Sequence, residues 1–133
     1  MKTTTSKEYL KKVNGLLVKK LESFDDSIPV FADGLSESEV QEYGYNYILY
    51  ATGNFNRPDD MNDDYSMNQQ VYITFVSQNR NFLDGDILEL IKLITSAKHK
   101  VRLVEKDTRE VEKQDNDVDI IVFTCDRLVK TNG

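Results

Sequence analysis

The side chains that most often carry out chemistry are scarce in this chain. It holds one histidine, His99, one cysteine, Cys125, and no tryptophan, and no stretch has the glycine spacing of a loop that cradles phosphate. His99 follows an apolar helical pattern, with no cysteine or second histidine to complete a zinc site, so it reads as a capping or surface residue rather than a ligand. Cys125 falls in an alternating stretch near Phe123, where an inert core thiol is the usual outcome. A nucleophilic role would need a neighbouring base, and the one imidazole is distant in sequence. Hydrolysis would require a pocket that gathers Cys125, His99 and a carboxylate within hydrogen-bond reach.

Carboxylates are plentiful but poorly arranged for catalysis. Asp60, Asn62 and Asp64 open with the D-x-N-x-D spacing of a calcium loop, yet Tyr65 stands at the turn glycine and Val71 at the bidentate glutamate. Asp115, Asp117 and Asp119 begin the same way, with Ile120 replacing the glycine and Asp126 at the last place inside an apparent strand. Neither completes an EF-hand. The crowding of Asp59, Asp60, Asp63 and Asp64 leaves room for weak divalent-ion attraction and nothing more. No pair of carboxylates is fixed beside an apolar pocket that would raise one pKa, so acid–base hydrolysis is disfavoured and no cofactor is implied.

The elements that would position these groups follow from hydrophobic period. Leu10, Val13, Leu17, Leu21 and Phe24 form one helical stripe, with Thr5 and Glu8 at capping-box spacing ahead of it. Ser27 to Asp33 reads as a short strand in which Pro29 favours an edge or a strand start. Ser36-Glu37-Ser38-Glu39 is suited to cap one helical turn before Gly44. From Tyr45 the period becomes two, predicting strands over 45–52 and 70–76. The polar stretch 53–66 between them reads as a long acidic loop, flexible at about 54–66. Leu83, Ile87, Leu90, Ile91, Ile94 and Ala97 return to the helical period, with Asp84 and Asp86 at the positive end of the dipole and Lys98, His99 and Lys100 at the negative end. Two strands close the chain, Val101 to about Glu112 and Val118 to about Val129, joined by a polar turn at 114–117. Val118, Ile120, Ile121, Val122 and Phe123 are apolar on both parities, which predicts a central strand covered on both faces. The prediction is a single α+β domain over 1–133, with a largely antiparallel or mixed sheet, two main helices packed on it and the order α-β-β-β-α-β-β.

Charge is distributed unevenly along this frame. The formal net charge is −6, but residues 1–20 carry +5 and residues 25–66 carry −9. An acidic chain is a poor partner for nucleic acid, no apolar run nears the roughly 20 residues that cross a bilayer, and the first residues lack a signal-peptide core. A cytosolic site of synthesis is the expectation. A subunit with opposite poles can pair head to tail with its own copies and close into a ring, while ordinary solvated faces account for the same charges without a partner. The candidate interface residues are Lys11, Lys12, Lys19 and Lys20 on one side and Asp59, Asp60, Asp63 and Asp64 on the other. Tyr45, Tyr47 and Tyr50 read as cross-strand packing or as interface aromatics.

The order of elements around Tyr45-Asn46-Tyr47-Ile48-Leu49-Tyr50, Val71-Tyr72-Ile73-Thr74-Phe75-Val76 and Asn81-Phe82-Leu83-Asp84-Gly85-Asp86-Ile87-Leu88-Glu89-Leu90-Ile91 resembles the tail-completion or tail-terminator proteins of long-tailed bacteriophages. The resemblance spans nearly the whole chain and implies a non-enzymatic virion protein of the neck. It implies a homo-oligomeric, hexameric ring that caps the tail-tube protein and joins it to the head-completion or connector protein. DNA would pass through an acidic lumen without specific binding, and loops that order on assembly would correspond here to 54–66. The loop is more acidic than in some relatives. The alternative from another class is a small acidic phage-encoded regulatory or inhibitor module that binds a host protein.

Overall fold

The computed structural model describes residues 6–32, 44–57, 66–110 and 117–130. Within them the elements run α1 (Ser6–Glu22), β1 (Val30–Ala32), β2 (Tyr47–Asn56), β3 (Ser66–Ser77), α2 (Leu83–Ser96), β4 (Lys100–Arg109) and β5 (Val118–Lys130). This is the α+β order that the periodicities predict. The five strands form one mixed sheet in the spatial order β1-β2-β3-β5-β4, in which only β1 and β2 pair in parallel.

Alternation along the strands decides what the sheet buries. Ile48 and Tyr50 of β2, Val71, Ile73 and Phe75 of β3, and Ile121, Phe123 and Cys125 of β5 share one face. There they meet Leu17 and Leu21 of α1 and Ile87, Leu90 and Ile94 of α2 in one core. Full burial of each large side chain contributes about 1.5–3 kcal/mol, so this face supplies most of the driving force. Both helices lie on it.

The two ends of α2 are built differently. At its start Phe82 adopts a left-handed conformation (φ 56°) without a side-chain cap, and Asp84 and Asp86 occupy the first turn beside the positive end of the dipole. At its end Lys98 takes the left-handed position (φ 66°) and donates its N–H to Thr95 O, while His99 N–H donates to Ile94 O. That pair of bonds is a Schellman motif with lysine in the place glycine usually takes.

Several boundaries differ from the expectations. The strand expected over 27–33 is confined to Val30–Ala32 because Asp25 accepts bonds from Ser27 N and Oγ, holding the preceding residues in a turn. Strand β2 continues through Gly53 to Asn56, so residues 54–56 are not loop, and β3 begins at a buried Ser66. A register shift between Thr52 and Phe55 absorbs an irregularity in the ladder, and Gly53 permits a close approach: a Cβ there would sit 2.8 Å from Tyr72 Cε2. Strand β5 is flanked by β3 and β4 as expected; among the described residues both helices lie on one of its faces, and Ile120 and Val122 on the other are half-buried. Thr5, the turn at 36–39, the segment 58–65 and the turn at 114–116 lie outside the described residues.

Two substitutions probe this packing. Gly15 sits exposed in the middle of α1 with nothing within 4 Å of where a Cβ would stand. Gly15→Ala should raise unfolding free energy by about 0.5–1 kcal/mol in urea titration. Phe75, fully buried and edge-on to Phe24 with ring centroids 5.5 Å apart, should cost about 3–5 kcal/mol as Phe75→Ala in the same assay.

Candidate functional site

The face of the sheet opposite the helices is the largest feature the core leaves over. Register places Phe31, Leu49, Thr74, Val122 and Glu105 in one row across all five strands, and Tyr47, Val76, Ile120 and Asp107 in the next. Near β1 these side chains close on one another: Tyr47, Val76 and Val118 are buried in a small cluster with Phe31, Tyr45, Leu49 and Ile120. Toward β4 the face opens. Leu103 is 52% exposed and Tyr72 36%, beside half-buried Val122 and Thr124. No helix among the described residues lies on this face. Exposed apolar surface rimmed by the carboxylates of Glu105 and Asp107 is the make-up of a contact surface rather than of a reaction centre.

The tyrosines divide between the two faces. Tyr50 enters the helix-side core and Tyr47 the opposite cluster, where burial pushes its hydroxyl above the usual range with a smaller contribution from Tyr45. Cross-strand packing accounts for Tyr47 and Tyr50, and Tyr45 remains half-buried at the rim of the second cluster.

On the helix layer, Lys11, Lys12 and Lys19 are exposed and Lys20 half-buried. None of the four forms an ion pair among the described residues, whose ion pairs join Arg80, Arg102, Lys106 and Arg109 to Asp25, Asp86, Asp126, Asp84 and Asp107. Among the described residues, α1 thus presents a basic surface without ion-pair partners. Asp59, Asp60, Asp63 and Asp64, the predicted acidic counterpart, lie outside the described residues, and with them the calcium-like spacing at 60–64. Of the second such spacing, Asp119 is in β5 and accepts a bond from Thr108 Oγ1 at 3.0 Å. Among the described residues no three metal-ligating side chains come together.

Cys125 and His99 do not form a nucleophile–base pair. Cys125 is fully buried, its Sγ reaches Phe123 O at 3.7 Å, and burial pushes the thiol up to about 12. His99 is not a surface residue: it is 2% exposed, because the Schellman turn folds its ring inward. Its side chain does cap, since Nδ1 lies 2.8 Å from Ala97 O and must donate there. A proton on Nδ1 leaves Nε2 of the neutral ring as a bare acceptor, and that buried atom has no partner among the described residues. Burial lowers the His99 pKa and the nearby charge of Arg127 lowers it further, against the bond to Ala97 O.

Two arginines that sequence reasoning passed over organise the polar interior. Arg80 spans Asp86, with Nε–Oδ2 at 2.7 Å, and Asp25, with Nη1–Oδ2 at 3.1 Å, while its guanidinium lies 5.1 and 5.7 Å from the ring centroids of Phe24 and Phe75. Hydrogen bonds from Ser27, then Arg80, hold the Asp25 carboxyl below its usual range. Arg127 is 3% exposed, and its parity with Ile121, Phe123 and Cys125 already placed it on the core face. It donates to Gln69 Oε1 from Nε and Nη2 at 2.9 and 2.7 Å, and to Asn14 Oδ1 from Nη1 at 2.6 Å.

The sequence matches no protein-family profile and no curated protein. No helix among the described residues is long and apolar enough to cross a membrane.

His99 yields a pH prediction with a defined sign. Its folded pKa is depressed, so between that value and the unfolded value of about 6.5 the unfolded chain binds more protons, and stability falls as pH drops below about 6.5. Urea titrations of the wild type and His99→Gln from about pH 8 to pH 5 should show a steeper loss in the wild type. Parallel curves would mean that the ring titrates alike in both states.

Proposed function

We propose that this chain is a structural, non-enzymatic subunit of the bacteriophage neck, forming a homo-oligomeric ring that completes the tail tube and joins it to the head connector. The observation that carries the reading is the one-sided sheet. Among the described residues two helices cover one face, and the other presents Leu103, Tyr72 and Val122. A subunit whose helix layer bears lysines without ion pairs among the described residues, and whose opposite face bears an apolar patch beside Glu105, has two unlike surfaces. Unlike surfaces on one chain make heterologous contacts, and these close into a ring when the rotation permits. The order of elements, which resembles that of tail-terminator proteins, supplies the biological setting. In that setting Asp59, Asp60, Asp63 and Asp64 would add to the acidic side of each contact, and the finished particle would be its location.

Leu103→Asp is the discriminating substitution. The residue is more exposed than buried, so a charge there should leave the melting temperature within about 2 °C of wild type, while a desolvated carboxylate in a ring contact would cost several kcal/mol. The expected outcome is a folded protein that no longer restores head–tail joining to particles lacking the subunit, as counted by electron microscopy. Particles that join normally without the protein, or with Leu103→Asp, would refute the reading.

A further inference from the structure

A second surface, at the C-terminal end of α2, has the chemistry of an anion host. An open cleft of about 350 Å³ there is lined by Lys98, His99, Lys100, Arg102, Asp126 and Arg127, among others. Four of these side chains are cationic and one is anionic, and the anion is already engaged, with Arg102 Nε donating to Asp126 Oδ2 at 2.5 Å. In a chain with a formal net charge of −6, this is a concentration of positive charge separate from the lysines of α1.

Arg127 makes the site more than a cluster of surface lysines. It is almost wholly buried, yet its three bonds go to the amide oxygens of Gln69 and Asn14, and no carboxylate among the described residues pairs with it. A guanidinium keeps its proton in a protein, and a buried ion without a counter-charge costs several kcal/mol. Three of its five N–H donors are used, which leaves capacity for an acceptor. His99 supplies the second buried group with open capacity, its Nε2 being unpartnered. The negative end of the α2 dipole, which would repel an anion, is blunted here: Ile94 O, Thr95 O and Ala97 O all accept bonds from Lys98 and His99.

We propose that this cleft binds a phosphate-class oxyanion, held by buried Arg127 and His99 together with exposed Lys98, Lys100 and Arg102. The guanidinium fork matches paired oxygens of such an anion better than it matches a halide. Binding also changes the histidine. The charges around the ring are Arg127 and Asp126 from β5, Lys100 and Arg102 from β4 and Lys98 from the end of α2, with the hydroxyls of Tyr9 and Tyr50 near Arg127. Burial, and after it the charge of Arg127, favours the neutral imidazole, and an added anion works against both, so that a proton on Nε2 becomes easier to hold and would donate to the anion. The proposal does not depend on the neck reading, because it rests on a different part of the molecule.

Sulfate is the first probe, since it keeps its charge across the range in which histidine titrates. In amide NMR spectra of the intact protein at low ionic strength, sulfate should shift His99, Lys100 and Arg127 saturably. It should raise the His99 pKa by about one unit, so that binding tightens as pH falls from about 8, towards a limit of about tenfold once pH lies below both pKa values. Lys98→Asn with Lys100→Gln removes two exposed charges, and asparagine tolerates the left-handed backbone at 98. That double variant should keep the wild-type melting temperature and bind about fivefold more weakly. His99→Gln should retain binding at pH 8 and lose its pH dependence. Inorganic phosphate and a short oligothymidylate then distinguish a free anion from a phosphodiester backbone, according to which binds more tightly. Shifts that grow linearly with sulfate and match those from chloride at equal ionic strength, or binding unaltered in the double variant, would overturn the proposal.

Discussion

The constraint from which the rest of the described structure follows is that both of its helices lie on one face of the sheet. A five-stranded sheet has two faces to shield, and the described chain provides α1 and α2, both committed to the same one. Every strand therefore has to be two-sided in composition. Strands β3 and β5 place Val71, Ile73, Phe75, Ile121, Phe123 and Cys125 beneath the helices, and a second, milder set of side chains looks the other way. That second set is neither polar enough to be indifferent to company nor apolar enough to drive collapse alone.

The two interior arginines show different solutions to one electrostatic difficulty. Arg80 ties the end of α1, through Asp25, to the first turn of α2, through Asp86, and lies against Phe24 and Phe75. Its charge is answered twice, and three elements are held in register at that end of the core. Arg127 sits at the other end of the same face, and its hydrogen bonds among the described residues go to amide oxygens. Amide dipoles orient a cation but do not cancel it. The contrast between a closed electrostatic account at Arg80 and an open one at Arg127 is what makes the second worth attention as a place of binding.

Much of this architecture was legible in the amino-acid sequence where one period dominated. The 3.6-residue spacing of Leu83, Ile87, Leu90 and Ile94 and the two-residue spacing of Val71, Ile73 and Phe75 each identify their element and its buried face. Legibility failed where tertiary neighbours override local texture. Gly53 to Asn56 reads as loop because glycine and asparagine are poor strand formers, yet the Tyr72 ring against Gly53 and the ladder to β3 keep the strand going. His99 reads as a surface cap until the left-handed turn at Lys98 is known to swing it inward. The apolar run in β5 signalled two-sided coverage, and only the placement of the helices shows that, among the described residues, both lie on one side. Of the candidate interface, the lysines of α1 were readable from helical phase, whereas the open face emerges only from the pairing of strands distant in sequence.

The borders of the sheet carry one further implication. On one side β1 is three residues long and follows Pro29, and on the other β4 is irregular between Val101 and Leu103 and bristles with exposed Lys100, Arg102, Lys106 and Arg109. Such margins discourage the lateral backbone hydrogen bonding by which sheets fuse into fibrils. Molecules of this kind can be concentrated together without zipping edge to edge, so any ordered association is directed into face-on stacking, where side chains and not backbone ribbons choose the neighbour.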